Sequence, residues 1–395
     1  METAVRRGTP GSHQHGLEVV RHGFAGVSVL VVGDLILDRY IWGEVTRISP
    51  EAPVPVVRWQ RQTEQLGGAA NVAANLKGLG AQVTLAGFAG ADAEGDHILQ
   101  MLTDVAAVAT PVVRRPDRPT TTKLRVMGGH QHQQMLRLDR EDDRPASADD
   151  EARLLEGVTQ AIKTKPVEGP DLDPSALRPS IKVMEGSGGG FFSAAEAPPL
   201  PTAESSKIAA VILADYAKGV ISERVAKSVI SEAHSHGLPV FVDPKGRDYS
   251  KYRKATALTP NRAELALACG VSQEPLDELL EAGARLRRDL DLDFLAVTRG
   301  EEGITLIEPD ARLDVPAVAQ QVFDVSGAGD TVIATLAAGL AAGLNRLEAI
   351  HLANLAAGIV VGKVGTAPVH REELLEALVS EGELGKCGLE EDGRR

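Results

Sequence analysis

The sequence predicts an α/β fold in which a doubly wound, mostly parallel sheet is flanked by helices and carries a small β lid. Three observations predict it. Apolar, β-branched runs recur along the chain, helical patterns lie between several of them, and two segments of alternating pattern interrupt the rhythm. Strands that alternate with helices are typical of βαβ units, whereas strands without helix spacers pair with one another.

The apolar runs predict the strands of the main sheet. A strand that is buried on both faces shows an unbroken run of apolar residues instead of an alternating pattern. A helical pattern at 222–236 separates two of these runs, and the full set is 27–32, 83–86, 209–213, 240–242 and 294–297. We therefore expect parallel strands joined by helices.

The two interrupting segments lie at about 39–66 and 119–140, and both read as short alternating strands. Because no helix pattern separates them, we expect them to pair with each other as a small antiparallel lid over one edge of the sheet. Ordinary edge hairpins without a function are the alternative.

The length of 395 residues suggests one large domain at 26–376, with a flexible leader at 1–25 and a charged tail at 377–395. A stretch at about 165–204 is rich in Gly and Pro and is predicted to be a disordered insertion, because it buries too little apolar surface to offset its ordering entropy.

Composition excludes several classes of function. The net charge of −13 disfavours binding to nucleic acid or to membrane surfaces, which are themselves anionic. The two cysteines, Cys269 and Cys387, lie far apart and form neither a disulfide framework nor a metal motif. The N-terminus lacks an apolar signal segment and no apolar stretch is long enough to cross a membrane, so we expect a cytoplasmic protein.

The strongest chemical motif is the run 324–331, which contains Gly327, Ala328, Gly329 and Asp330 and precedes an Ala-rich helix pattern. Small residues at a helix N-terminus let backbone N–H groups approach an anion, as a transferred phosphoryl group requires. A carboxylate beside them, Asp330, is placed to take a proton from an attacking hydroxyl. A plain Gly-rich turn before a helix is the alternative.

A second group of residues suggests a sugar site. Gly67 and Gly68 open a helix pattern with Asn71 one turn in, and their spacing is neither that of a dinucleotide motif nor that of a P-loop. Asp34 and Asp38 follow the first strand, where ligands of open α/β sheets bind, and carboxylates four apart can grip vicinal hydroxyls. The alternatives are helix–strand packing for the two glycines and a helix cap for Asp34.

Three shorter segments suggest a nucleotide site. Asn261 and Glu264 share a first helical turn, and Glu264 is a candidate for the hydration shell of Mg²⁺; a capping box is the alternative. Thr298 and Gly300 belong to a turn that either touches a nucleotide or is merely a hairpin. Lys245 follows another strand and either meets phosphate or is solvated.

Together these segments resemble the ribokinase-like carbohydrate kinases, also called the PfkB family. The segments 67–80 and 324–331 match the two family signatures, and the resemblance runs from about Val27 to Val369. Within the family, the chain looks most like the branch that phosphorylates a heptose 7-phosphate, in the stretches 33–43, 47–56, 122–126, 215–219 and 361–366.

The resemblance implies a reaction and a set of roles. Asp330 deprotonates the C1 hydroxyl of heptose 7-phosphate, which attacks the γ-phosphate of ATP and gives heptose 1,7-bisphosphate in ADP-heptose biosynthesis. The amides of residues 327–329 form the anion hole, and residues 261–264 line the ATP and Mg²⁺ region. The sugar is held by Asp34, Asp38, Gly67, Gly68 and Asn71.

Further implications concern the lid and the cations. The lid pairs two protomers into a homodimer, and relatives use a monovalent cation, K⁺, near Asp324 and Ser326. Lys123, Arg125 and Arg137 on the lid strands either pair with a 7-phosphate or are solvated charges.

Two alternatives stay open at this point. One is another sugar or sugar-phosphate kinase of the same family, and the other is a non-catalytic sugar- or nucleotide-binding regulator. The intact Asp330 favours an enzyme. Many bacteria fuse such a kinase to a cytidylyltransferase-like domain with a His-x-Gly-His motif; since this motif does not occur here, we expect a kinase without the adenylyltransferase function.

Overall fold

The structure is a computed structural model that describes residues 15–105, 107, 112–129, 133–163, 207–318 and 322–392, with side chains up to Glu381. The predicted insertion at about 165–204 and the first 14 residues of the predicted leader lie outside these ranges.

The main sheet confirms the predicted fold class. Its strands are β1 (Ser28–Gly33), β4 (Gln82–Gly90), β5 (Val112–Arg115), β8 (Ala210–Ala214), β9 (Val240–Asp243), β10 (Ala257–Leu258), β11 (Phe294–Thr298), β12 (Ile304–Ile307) and β13 (Arg312–Val315). The order is β13-β12-β11-β10-β9-β8-β1-β4-β5. All pairs are parallel except β11–β12 and β12–β13. Each apolar run of the sequence falls on one of these strands.

Helices cover both faces of this sheet. They are α1 (Ala69–Gly78), α2 (Ala93–Asp104), α3 (Ala148–Lys163), α4 (Glu223–Ser235), α5 (Arg262–Cys269), α6 (Leu276–Asp289), α7 (Ala328–Ala341), α8 (Arg346–Val360) and α9 (Arg371–Asp392). Successive residues of β1 point to opposite faces, so Val31 packs with α1, α7 and α8, whereas Leu30 packs with α3, α4 and α6. None of the helices in the described ranges has the length and apolarity to cross a membrane.

The lid is a separate sheet of β2 (Leu35–Ile48), β3 (Pro55–Gly68), β6 (Thr121–Gly128) and β7 (Gln133–Arg140), in the order β3-β2-β6-β7. The β2–β3 and β6–β7 pairs are antiparallel as predicted, but the central β2–β6 pair is parallel. The reason is that β2 continues from β1 and β6 follows β5, and these two strands of the main sheet run in the same direction. The expectation of a wholly antiparallel lid was therefore wrong.

In the described part of the chain, packed structure extends past both predicted domain boundaries. Val20 and Phe24, within the predicted leader, are buried in the same core as α9. Helix α9 runs through the predicted boundary at 377, and Leu374 and Leu378 are buried one turn apart on its inner face. In both segments, a few apolar residues at helical spacing are enough to dock a stretch whose overall composition is polar.

Candidate active site

A cleft of about 270 Å³ lies between the main sheet and the lid. Its floor is formed where β8, β9 and β11 end, because the carboxyl ends of parallel strands meet at one edge of a sheet. The lining residues come from the lid, from the segments at these strand ends and after β10, from the starts of α5 and α7 and from the segment after α8: Asp38, Gly68, Lys123, Arg125, Tyr216, Asp243, Thr259, Asn261, Glu264, Thr298, Ser326, Gly327, Gly329, Asp330 and Thr366.

Asp330 is the third residue of α7 and is only 6% exposed. The amide nitrogen of Asn71 donates to its Oδ2 at 2.6 Å, and the hydroxyl of Tyr216 donates to its Oδ1. Burial raises the pKa of Asp330 to about 6, against the two hydrogen bonds, which favour the ionised form. A carboxylate with a pKa near neutrality can accept a proton from a hydroxyl and release it again.

The residues before Asp330 form the start of the helix as predicted. Gly327 has a φ of +81°, and a Cβ there would lie 2.8 Å from the Asn71 side-chain nitrogen, so only glycine fits. Gly327 and Gly329 line the cleft at the positive end of α7. Ala328 does not line it, and its N–H donates to the carbonyl of Val325 at 3.3 Å. The predicted contribution of Ala328 to an anion hole is therefore not supported.

Asn71 contacts the base instead of lining the cleft where a sugar was expected. It is fully buried, and its side-chain oxygen accepts from the Asn75 amide at 3.2 Å. The Asn75 oxygen in turn accepts from the Thr331 hydroxyl at 2.9 Å and from the Val369 N–H at 3.0 Å. This buried network fixes the amide that points at Asp330.

The two glycines before α1 allow close approach of the lid strands. Gly68 lines the cleft with a φ of +59°, and Gly67 pairs with Ile36 across the β2–β3 ladder. A Cβ on Gly67 would lie 2.2 Å from an oxygen of Asp38, so this glycine lets the Asp38 carboxylate sit against the strand. Gly67 does not line the cleft; its role is to leave room for the Asp38 carboxylate, which does.

Asp34 lies apart from the cleft residues. A strand follows it directly, its backbone carbonyl accepts the N–H of Ala69 at the start of α1 at 3.0 Å, and its carboxylate does not line the cleft. Its oxygens accept backbone N–H groups of Tyr216 at 2.9 Å, Lys218 at 3.1 Å and Val220 at 3.0 Å. Three backbone donors therefore engage the Asp34 carboxylate, which is 2% exposed and lies outside the cleft.

The lid brings two of its three predicted cations to the cleft. Arg125 pairs with Asp38, while Lys123 lines the cleft without an ion pair in the described part of the chain, and burial lowers its pKa from the ordinary value. Arg137 lies outside the cleft, is exposed and pairs with Asp139 at 2.6 Å. The prediction of a substrate contact by Arg137 is not supported within one protomer.

Three of the predicted nucleotide residues line the part of the cleft that the main sheet forms, across from the lid. Asn261 caps α5, and both hydrogen bonds of the capping box with Glu264 are present, yet both residues line the cleft together with Thr298. Lys245 does not line it, although its ammonium donates to Glu264 at 2.7 Å. Gly300, in the turn after β11, is exposed and lies outside the cleft.

The donor set at this side fits a hydrated magnesium ion. Glu264 and Asp243 both line the cleft, and burial raises the pKa of Asp243 well above its ordinary value, with Asp330 and Glu264 adding to the effect. Within the described ranges, no three acidic, His or Cys side chains are grouped as a metal cage. Mg²⁺ in phosphoryl-transfer sites takes one or two carboxylates and completes its shell with water and phosphate oxygens.

The sequence interpretation missed Tyr216, Asp243, Thr259 and Thr366 as cleft residues, and it named Ser326 only in connection with a monovalent cation. Tyr216 and Asp243 lie at the same edge of the sheet as the predicted residues, because β8 and β9 are parallel to β1 and end at that edge. Their position after predicted strands was the signal that could have found them. Thr366 has no such signal, since it reaches the site through hydrogen bonds to the Gln65 side chain and the Leu66 carbonyl.

Comparison with known proteins identifies the family of this site. The sequence pattern described as "pfkB family carbohydrate kinase" matches residues 27–163 and 192–372. The chain belongs to the pfkB family of carbohydrate kinases. It is accordingly a phosphotransferase that acts on a sugar hydroxyl, and kinases of this family use ATP, usually with Mg²⁺.

Curated relatives of this kinase agree with the assignment. The chain is 46% identical over 350 residues to the "D-beta-D-heptose 7-phosphate kinase" of Bordetella bronchiseptica, covering 89% of this chain and 96% of the relative. It is 48% identical over 367 residues to the "Bifunctional protein HldE" of Methylobacillus flagellatus, covering 92% of this chain. The chain spans 66% of the length of that bifunctional relative.

Solved structures agree on the fold. The ribokinase of Arabidopsis thaliana, solved with ribose and ATP, superposes with a TM-score of 0.63 at 20% identity, covering 89% of this chain and 99% of that one. The phosphofructokinase-2 of Escherichia coli, solved with substrates and products, gives a TM-score of 0.66 at 18% identity, with coverages of 90% and 98%.

Proposed function

We propose that this kinase transfers the γ-phosphoryl group of ATP to O1 of D-glycero-D-manno-heptose 7-phosphate. The observation that carries the proposal is Asp330, a buried carboxylate at the N-terminus of α7 in a cleft that is also lined by the lid lysine Lys123. The relative named as a heptose 7-phosphate kinase supports the choice of sugar, because it matches over nearly its full length.

Asp330 acts as the general base. With a pKa of about 6 it is mostly ionised at neutral pH, and it accepts the proton of the sugar O1 hydroxyl. The O1 oxygen then forms a bond to the γ-phosphorus while the bond from that phosphorus to the ADP oxygen breaks. The products are heptose 1,7-bisphosphate and ADP, and the proton stays on Asp330 until solvent removes it.

The start of α7 stabilises the charge that develops during this transfer. Phosphoryl transfer depends on positioning and on electrostatic stabilisation of the equatorial oxygens. Gly327 and Gly329 expose the positive helix end to the cleft, and neither carries a side chain that would keep a phosphate away. The sugar O1, the γ-phosphorus and the leaving oxygen of ADP therefore meet between the N-terminus of α7 and the Asp330 carboxylate.

The two sides of the cleft divide the substrates. Asp38, Gly68 and Lys123 face the sugar, and the ammonium of Lys123 pairs with the 7-phosphate. Asn261, Glu264, Asp243 and Thr298 face the nucleotide, where the two carboxylates hold hydrated Mg²⁺. Mg²⁺ supplies the charge that screens the phosphates of ATP.

The loop with Asp324 is the proposed place of a monovalent cation. Asp324 accepts N–H groups from Ser326 at 2.9 Å and from Gly365 at 3.0 Å, which ties the segments on both sides of the cleft mouth together. We infer that K⁺ occupancy there raises the rate, and assays in KCl against tetramethylammonium chloride at equal ionic strength test it.

We also propose a homodimer that forms through the lid, in the cytoplasm, where ATP is supplied. The outer face of the lid exposes six large apolar side chains: Ile48, Val54, Trp59, Met135, Leu136 and Leu138. Several large apolar side chains exposed on one small sheet are typical of an interface. A second copy of the lid is the partner with the same shape and apolarity.

Substrate-profile kinetics test the function. ADP release is measured with D-glycero-D-manno-heptose 7-phosphate, fructose 6-phosphate and ribose at equal concentrations, and the position of the new phosphate is read by ³¹P NMR. We expect the highest kcat/KM with the heptose phosphate and a phosphate on O1. Equal or higher kcat/KM with another sugar would refute the substrate, and no ADP release with any sugar would refute the kinase reaction.

A further inference from the structure

The loop that follows β8 carries Tyr216 into the cleft in a conformation that needs support. Ala217 has a φ of +55° and Gly219 a φ of +91°, so two of its residues adopt the left-handed region. For alanine this conformation is strained and persists where the surroundings hold it. The loop therefore depends on its contacts.

Two buried aspartates supply these contacts. The Asp34 carboxylate accepts three N–H groups of the loop, from Tyr216, Lys218 and Val220. The Asp215 carboxylate accepts the N–H of Ala217 at 2.7 Å on its other side.

Asp215 is itself held from the body of the protein. It accepts hydrogen bonds from the ammonium of Lys251 at 2.5 Å and from the hydroxyl of Tyr252 at 2.6 Å, and it is 2% exposed. The loop is therefore tied to β1 through Asp34 and to the segment after β9 through Asp215. This arrangement fixes the backbone at Tyr216, whose N–H is one of the anchored groups, and so sets where its side chain starts.

The hydroxyl of Tyr216 donates to Oδ1 of Asp330 while the Asn71 amide donates to Oδ2. A carboxylate has about four lone-pair sites, so two remain for an incoming hydroxyl. Each oxygen of the base is thus oriented by one donor, and neither donor can take a proton from it at neutral pH. Burial and the neighbouring Asp330 raise the pKa of Tyr216 well above its ordinary value.

We propose that Tyr216 is a positioning residue for the phosphoryl transfer: its hydroxyl orients Asp330 and stabilises its ionised form, and Asp34 and Asp215 hold the tyrosine in place. The inference rests on the proposed role of Asp330 as base. In this proposal Asp34 contributes to the reaction by holding the loop that carries Tyr216, and it does not contact the sugar.

The charges around Asp330 determine the direction of the effect. Asp38 from β2 and Asp243 from β9 disfavour a negative charge on Asp330, and Lys123 from β6 favours it. The remaining support comes from Tyr216 and Asn71. Loss of the Tyr216 donor leaves the buried carboxylate with less stabilisation, so its pKa rises and a higher pH is needed to ionise it.

The test compares pH profiles of kcat/KM for the wild type, Tyr216→Phe and Tyr249→Phe. Tyr249 is the matched control, because it is buried and its hydroxyl has no hydrogen-bond partner in the described residues. For Tyr216→Phe we expect the acid limb to move up by about one pH unit, with roughly ten-fold lower activity on that limb and recovery towards high pH. Tyr249→Phe should follow the wild type.

The same sugar phosphate is used throughout, so ionisation of the substrate is common to all profiles and cancels in the comparison. An acid limb of Tyr216→Phe at the wild-type pH or below it overturns the inference, as does a change in KM alone. Asp330→Asn separates the two levels of the argument. If Asp330→Asn keeps full activity, the proposed base is wrong; if it is inactive while Tyr216→Phe keeps the wild-type profile, only the positioning role is wrong.

Discussion

Replacing Asp330 by Asn should remove activity and, at the same time, make the protein more stable. Burial raises the pKa of this carboxyl from its ordinary value of 3.8 to about 6. The folded state therefore holds the proton more tightly than the unfolded state, so the fold loses stability as the pH rises from 3.8 to about 6, and the full loss is present above 6. A difference of about two pH units corresponds to about 3 kcal/mol.

Asparagine keeps the shape of the side chain and escapes this penalty, because it does not ionise. It can still accept from Asn71, while its own amide can donate to the hydroxyl of Tyr216. Up to about 3 kcal/mol of stabilisation should appear at pH 8, and about half of it at pH 5, where the wild-type carboxyl is largely protonated. Turnover should fall by roughly 10²–10⁴-fold, the usual contribution of a positioned base.

Urea denaturation at pH 8 and pH 5 measures the stability, and the ADP-release assay measures the turnover. Asp310→Asn is the control, since Asp310 is exposed in the turn between β12 and β13. It should change neither quantity. Equal stability of Asp330→Asn and wild type at pH 8, or a gain that does not depend on pH, would contradict the buried, ionisable base. A gain in stability together with a loss of turnover in Asp330→Asn would show that the buried carboxylate lowers the stability of the fold and is needed for activity.

Two further predictions concern the lid. Lys123→Met should raise the KM for the sugar phosphate about 10- to 100-fold and leave the KM for ATP unchanged, because a charge-assisted hydrogen bond is lost; Arg137→Met, which alters an exposed residue already paired with Asp139, should change either KM less than about three-fold. Steady-state kinetics with each substrate varied decide this, and equal effects of the two variants would refute the phosphate contact. Trp59→Asp should dissociate the dimer, whereas Leu267→Asp on α5, which is 44% exposed away from the lid, should leave it intact. Sedimentation velocity measures the mass, and a wild type that is monomeric at micromolar concentration would refute the lid interface.

The sequence predicted the main sheet well because each buried parallel strand is a local signal. Apart from Ser28 on β1, the runs on β1, β8, β9 and β11 are apolar, and their positions in the structure differ from the predicted ones by about one residue. The lid was predicted as a unit because its segments alternate and have no helix pattern between their strands. Its parallel centre could not be read locally, because the direction of β2 relative to β6 follows from the order of strands in a different sheet.

The site was predictable where the motif itself determines the geometry. Gly327 and Asp330 lie where the sequence placed them, because a helix start defines both positions. Asp34 and Asp38 show the limit of such reasoning. They are four residues apart on one segment, yet Asp38 faces the cleft and Asp34 faces a loop that lies more than 180 residues away in the chain. No local pattern distinguishes the two carboxylates.

That difference between the two aspartates explains why the tyrosine was missed. The rule that ligands bind beyond the carboxyl ends of strands was applied to β1, whose loop leads to the lid, and not to its parallel neighbour β8. Because β1 and β8 end side by side, the carboxylate after β1 meets the backbone of the loop after β8 and fixes it. The residue that reaches the base is therefore on the second loop, and the residue that holds it is on the first. In a parallel sheet, a carboxylate beyond one strand should accordingly be considered as an anchor for the neighbouring loop before it is assigned to a ligand.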